Sequence, residues 1–213
     1  MKDVILWGGT GQARVLREAL THADFRVVAV FDNQSIPSPF ADVPMHLGKE
    51  GFQSWMAGRV GTGLVHACVT IGGSLGSDRL RLLEWLRQQG LPPLTVIHPR
   101  AFVAGDAKIG DGAQILAMSA VCSNVILGHA VIVNTSASID HDCVIRDGVH
   151  VGPGAHLAGE VCVDEYAFIG AGAVILPRLN IGRSAIIGAG AVVVRDVAAD
   201  RVVAGNPARA LRR

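Results

Sequence analysis

Aromatic side chains make up only 5% of these 213 residues, and charge nearly cancels: 19 Lys and Arg against 18 Asp and Glu, a formal net charge of +1. A chain with no basic excess lacks the electrostatic footprint of a nucleic-acid binder, so no nucleic-acid partner is expected. One local bias exists at the tail, Arg209, Arg212 and Arg213. It reads either as a phosphate contact or, more commonly for a terminal run, as solvated charge. Cysteine is also scarce. Cys68, Cys122, Cys143 and Cys162 show no CxxC spacing, and the economical reading is four free, mostly structural thiols in a reducing compartment. No apolar run approaches the ~18 residues of a membrane span. The start, Met1-Lys2-Asp3, lacks the basic region and long apolar stretch of a signal peptide, so a cytoplasmic protein without a membrane span is expected.

What the chain has instead is a period of six. From Ile97 every sixth residue is Ile, Val or Leu, through Val103, Ile109, Ile115 and onward to Ile187 and Val193, without a slip. Four residues after each stands a small or modest apolar residue, as at Ala113, Ala137, Cys143, Ala155 and Ala173. Six is neither the helical 3.6 nor the strand's 2, and sustained over this length it predicts a parallel β-helix. Three hexads close one triangular coil, with the aliphatic residues stacked inside and the small residues at crowded inward corners. Gly and Asp residues such as Gly110, Asp111, Gly112, Gly152, Gly154, Gly170, Gly172, Gly188 and Gly190 are expected to supply the positive φ or local side-chain bonds of those corners. A β-sandwich with regular turns would not hold that phase.

Ahead of the hexads, Val4 to Trp7 reads as a strand, followed by Gly8-Gly9-Thr10-Gly11, a helix from Gln12 to Leu20, and a second strand from Phe25 to Phe31 that ends in Asp32-Asn33. Strand, Gly-rich turn, helix and strand with a terminal acid is the order of a nucleotide-binding unit, although the turn is not a full GxGxxG and a tight strand-to-helix connection fits it as well. Gln34 to Gly48 reads as loop with one short strand, and Lys49 to Met56 as a helix. Leu64 to Ile71 reads as a strand before Gly72-Gly73, and Ser77 or Asp78 as the cap of a helix from Arg79 to Gln89. The expected organisation is a small Rossmann-like α/β unit over residues 1–93, a parallel β-helix over 94–198, and a tail over 199–213 that covers the open end of the coil. In the α/β sheet a ligand would lie where Gly9, Thr10, Gly11, Gln12, Asp32, Asn33, Gly72 and Gly73 gather at the carboxyl ends of the strands.

A β-helix is a scaffold, and its chemistry must come from polar residues that interrupt the pattern. His129, His141, His150 and His156 all fall in the middle coils. His141 stands out, because it lies outside the inward positions between Asp140 and Asp142. A histidine held by a carboxylate is a general base suited to neutral pH. Solvated turn histidines are the bland alternative. A shared zinc is a sharper one, but no three histidines recur at the 18-residue stacking distance on one face, and no metal is expected.

With these residues in view, the chain resembles the hexapeptide-repeat acyltransferases. More narrowly it resembles the sugar-nucleotide N-acetyltransferases and sialic acid O-acetyltransferase-like proteins of bacterial surface glycan synthesis. The likeness is carried by the α/β unit, the hexads, Asn134-Thr135-Ser136 through His141-Asp142-Cys143 to His150-Val151, and the closing Gly205-Asn206-Pro207-Ala208. It implies a left-handed coil, acetyl-CoA as co-substrate, His141 as general base paired with Asp142, and His150 near the thioester. It also implies cofactor contacts around Gly159, Ala171 and Ala189, a homotrimer, and a nucleotide-linked amino sugar held by the Gly-rich turn and Asp32. Gln12 and Asn33 depart from the His and second acid usual in that family. The expected reaction is direct N-acetylation, without a covalent intermediate on the inward Cys143. A sugar O-acetyltransferase and a non-catalytic β-helix binding protein are the alternatives.

Overall fold

The computed structural model describes residues 1–59 and 63–211, so Arg212 and Arg213 of the basic tail lie outside the described residues. Its first part is a four-stranded parallel sheet in the order β3-β2-β1-β4: β1 is Lys2–Trp7, β2 Phe25–Asp32, β3 Met45–Leu47 and β4 Val65–Val69. Chain order reverses beside β1, and the crevice where a parallel sheet binds ligands opens at such a switch point. Helix α1, Gly11–Thr21, buries Ala13, Leu16 and Leu20 between the sheet and the coils, where Val96, Leu116 and Ile132 meet it. Helices α2, Gly48–Gly58, and α3, Gly76–Gln88, cover the other face over Ile5, Trp7, Phe31, Phe52 and Leu86.

The expected side-chain cap of α3 is not what forms. The helix starts earlier, at Gly76, behind Leu75, with no side-chain cap bond. Its first turn is fixed instead by packing: a Cβ on Gly76 would run into the Gly148 carbonyl and Tyr166. Close approach to the coil has replaced capping.

From Val96–Ile97 onward the chain is a left-handed parallel β-helix of two-residue strands in three sheets. Ile126 pairs with Lys108 below it and Val144 above it, so each rung is 18 residues, three hexads. The aliphatic positions and the small corner residues, Val121, Ile139, Val151, Ile169, Ala137, Cys143, Ala155 and Ala173 among them, form one continuous dry column. Burying each such side chain contributes about 1.5–3 kcal/mol for the larger aliphatics.

The corners match expectation in part: Gly112, Gly154, Gly172 and Gly190 take the positive φ expected of them. Left-handed backbone recurs at every sixth position from Gly112 to Gly190, and most of those places hold other residues, including Met118, Asn124, Ala130, Ser136, Asp142, Glu160, Tyr166 and Arg178. Gly110, Gly152, Gly170 and Gly188 are not among the left-handed residues. A Cβ there would meet the next coil, as at Gly152 with the Ile169 carbonyl oxygen 2.7 Å away. Those glycines permit close stacking, while the corner conformation is imposed on whatever residue arrives there.

The two parts are tied directly. Ala67 donates to the Pro92 carbonyl at 3.0 Å and accepts from Leu94 at 2.9 Å, so the connecting segment is paired to β4. At the other end Val202–Ala204 adds a further rung to Ile186–Ile187, and Arg209–Ala210 folds back on it antiparallel. No helix among the described residues is long and apolar enough to cross a membrane.

Candidate active site

His141 and Asp142 sit on one edge of the prism, where Asp142 takes the left-handed corner conformation, φ 59°. That turn brings its carboxylate back onto its neighbour's ring: Asp142 Oδ2 lies 2.7 Å from His141 Nδ1. The other oxygen, Oδ1, accepts from Asn124 Nδ2 at 2.6 Å. The imidazole proton is therefore held on Nδ1, and Nε2 carries the lone pair. The Asp142 hydrogen bond, with the nearby charges of Asp140, Asp142 and Glu160, raises the His141 pKa above its ordinary 6.5. Asn124, followed by His141, holds the Asp142 carboxyl below the usual carboxylate range.

Beneath the ring lies Gly159, where a Cβ would stand 2.5 Å from His141 Nε2. A glycine here leaves the lone pair room. Ala171 and Ala189 are exposed, and they adjoin the left-handed corners Gly172 and Gly190 on another edge of the prism. Within one chain the structure unites His141, Asp142 and Gly159 but not these alanines. Cys143 is fully inward, bonded to the Ala158 carbonyl at 3.2 Å. Burial pushes its pKa up to about 11, which keeps the thiol protonated.

His150, expected from the resemblance to lie near the thioester, is held between the β4–α3 loop and the coil. It is 5% exposed and accepts the Gly73 N–H on Nδ1 at 2.8 Å, while the Asn134 amide lies 3.1 Å from Nε2. Burial, then the nearby Arg79 charge, lowers its pKa to about 4. It is a neutral ring that fastens the β4–α3 loop to the coil.

That loop borders a cavity of about 800 Å³ at the carboxyl edge of the sheet. Thr10, Gln12, Asp32, Asn33 and Gly72 line it as expected; Gly9, Gly11 and Gly73 are not in its wall. Gly8 is required by its φ of 117° and by Thr70, whose carbonyl oxygen would be 2.6 Å from a Cβ. Asp32 accepts from the backbone N–H groups of Gly9 at 2.8 Å and Gln34 at 2.9 Å, bracing the turn. Gln12 reaches across to Gln114 of the coil at 2.8 Å, and Gln114 in turn donates to Val69. The sequence reading missed the opposite wall, Lys49 of α2 and Asp78, Arg81, Leu82 and Trp85 of α3. The spacing of these last four, i, i+3, i+4 and i+7, marks one helical stripe, but nothing in the stripe shows which face meets a ligand.

A second cluster, Glu18, His22 and His98, brings three ligand atoms within 4.8 Å. Arg100 N–H donates to His98 Nδ1 at 3.0 Å, so the ring proton lies on Nε2, facing Glu18 at 3.0 Å. A metal-bound histidine ordinarily donates its other N–H outward. The arrangement fits a tie between α1 and the first coil.

Residues 142–177 match the family described as bacterial transferase hexapeptide (six repeats). A solved structure of a histidine-to-alanine variant of GDP-perosamine N-acetyltransferase from Caulobacter crescentus, in complex with CoA and GDP-perosamine, is 30% identical. It aligns over 100% of this chain and 98% of that one with a TM-score of 0.90. The chain belongs to the hexapeptide-repeat sugar acyltransferases. The acetyltransferase domain of PglB from Neisseria gonorrhoeae FA1090, in complex with acetyl coenzyme A, is 30% identical over 99% of both chains, TM-score 0.87. A curated GDP-perosamine N-acetyltransferase from Escherichia coli O157:H7 is 40% identical over 77 residues, 36% of this chain. The matched stretch spans 35% of that curated relative. The full-length similarity within the acyltransferase family thus includes both the α/β unit and the coils.

Proposed function

We propose that this acyltransferase moves the acetyl group of acetyl-CoA to the amine of a nucleotide-linked amino sugar, with a GDP-linked sugar as the first candidate. The observation that carries the reading is His141: its proton is fixed on Nδ1 by Asp142, and its Nε2 is free above Gly159. The attacking amine nitrogen bonds to the thioester carbonyl carbon while Nε2 takes one of its protons. Collapse of the tetrahedral intermediate breaks the C–S bond, and the proton passes from His141 to the departing CoA sulfur. Asp142 stabilises the imidazolium between those two events. Protonated, inward Cys143 takes no part.

The cavity at the sheet edge is the proposed acceptor site. It adjoins the β4–α3 loop, which packs on the coil edge of Ala130 and Gly148 through Arg79, whose guanidinium donates to both carbonyls. His141 belongs to a different edge, that of Asn124, Asp142 and Glu160. In a homotrimer the His141 edge of one protomer would face the cavity of the next, with acetyl-CoA between them. Gly159, Ala171 and Ala189 would then contact the cofactor from two prisms.

The test is thiol release from acetyl-CoA with GDP-perosamine and with UDP- and dTDP-linked amino sugars. Transfer to one amine, with an N-acetyl product identified by mass, supports the reading. Transfer to hydroxyl acceptors alone would replace it by O-acetylation, and no transfer with any acceptor would remove it.

A further inference from the structure

The far wall of the cavity holds a pair that the reaction just described does not use. The Lys49 ammonium lies 4.6 Å from the centroid of the Trp85 indole, over its face, and both residues line the cavity. Lys49 makes no ion pair among the described residues, whereas the other cation of that wall, Arg81, is bound to Asp78. The two aspartates at the cavity are likewise committed, Asp32 to the backbone and Asp78 to Arg81. Lys49 is thus the cation of the site that no carboxylate among the described residues holds. The helices reinforce it. Helices α1, α2 and α3 all begin at this cavity without a side-chain cap bond, so N–H groups and the positive ends of three dipoles converge there. Trp7 lines the same space, 1% exposed, and its Nε1–H has no acceptor among the described residues.

From this geometry we infer that Lys49 and Trp85 together recognise the nucleoside diphosphate of the acceptor. The Trp85 face is the stacking platform for the nucleobase, and Lys49, which covers that face, transfers its charge to the phosphates. An ammonium over a neutral ring is held less tightly than one on an anionic phosphate oxygen, so a diphosphate draws the lysine off the ring. The same movement uncovers a flat π surface, and a base stacks on such a surface whatever its identity. Lys49 would therefore couple two parts of one ligand, with the phosphates opening the platform that the base occupies. This assignment rests on the acceptor reading given above.

The test uses GDP as probe, with calorimetric affinity and tryptophan fluorescence read at several salt concentrations on the wild type, Lys49→Met and Trp85→Leu. Methionine keeps an unbranched apolar stem over the indole and removes the charge. Lys49→Met is expected to weaken GDP about tenfold or more and to flatten its salt dependence. Trp85→Leu is expected to weaken GDP by a similar factor, with the salt dependence retained and part of the fluorescence change lost. Trp85→Phe keeps a ring and should recover most of the affinity, and unchanged CoA affinity confirms that each variant is folded. GDP affinity within twofold of wild type in Lys49→Met, or in a folded Trp85→Leu, would overturn the assignment while leaving the acceptor site in place. Failure of the wild type to bind any nucleoside diphosphate would instead remove the acceptor reading, and this one with it.

Discussion

At residue scale the proposed chemistry rests on a few ångströms around His141. The Asp142 hydrogen bond raises the His141 pKa, so the neutral base is lost as pH falls through a value above 6.5. In kcat/KM this gives an acid limb. Asp142→Asn should shift that limb to lower pH and lower the plateau, because the ring loses both its anchor and its stabilising charge. An unshifted limb would assign it to another group. Gly159→Ala tests the space instead of the charge. Gly159 is not left-handed, so alanine suits its backbone, but its Cβ would stand 2.5 Å from Nε2 and drive the exposed ring aside. The expected result is a fall in kcat of about tenfold or more, since misplacement by an ångström has costs of that order, at unchanged unfolding midpoint.

His150 works in the opposite sense. Its folded pKa of about 4 lies below the ordinary 6.5, so the unfolded chain takes up the proton first as pH falls. Its contribution to stability is complete above 6.5 and is lost as pH falls toward 4, by about 2 kcal/mol between pH 7 and pH 5. Urea unfolding of wild type and His150→Gln at the two pH values should show that the variant lacks this part of the acid sensitivity. Equal pH dependence would mean that the ring is already charged when folded. In the sequence, His141 between two aspartates was legible as the candidate base, but nothing near His150 in the chain announced Gly73, which lies 77 residues away. Asn124 was within reach: it stands 18 residues before Asp142, one rung below, and the hexad count alone places it there.

At the scale of elements, the hexads made the coil legible because one repeated burial requirement governs every rung. The corners were only half read, for the complementary reason. Left-handed backbone falls on the same hexad position whether the residue there is Gly148, Met118 or Tyr166, so residue type does not report it. The period also carries no information on handedness; the family resemblance supplied that. A non-glycine in the left-handed region costs about 1–2 kcal/mol, part of which glycine forfeits through its freer unfolded chain. Met118, φ 60° and 63% exposed, has little packing to lose. Met118→Gly should therefore gain about 0.5–1 kcal/mol, measurable as a higher urea midpoint at unchanged m. A lower midpoint would show that the methionine side chain is held by contacts of its own.

At the scale of the whole molecule, the α/β unit and the coil are joined by bonds that no local pattern encodes. Gln12 meets Gln114, Gly73 meets His150, and fully buried Arg79 spans Ile71, Ala130 and Gly148. These fix the cavity against one prism edge while His141 stands on another, and that separation makes the proposed homotrimer testable through catalysis itself. His141→Ala removes the base and leaves the cavity; Lys49→Met with Trp85→Leu impairs the cavity and leaves the base. If each active centre joins the base of one protomer to the cavity of the next, the two impaired proteins, unfolded together, refolded as mixed oligomers and assayed at acceptor levels too low for the cavity variant, should regain part of the wild-type turnover. Mixed trimers of either composition contain one junction with both intact parts, so random mixing is expected to restore roughly a quarter of wild-type centres. Reassembly confirmed by mass with no recovered turnover would place base and acceptor in the same chain and require a large movement of one unit against the other, which the bonds at Arg79 and His150 oppose.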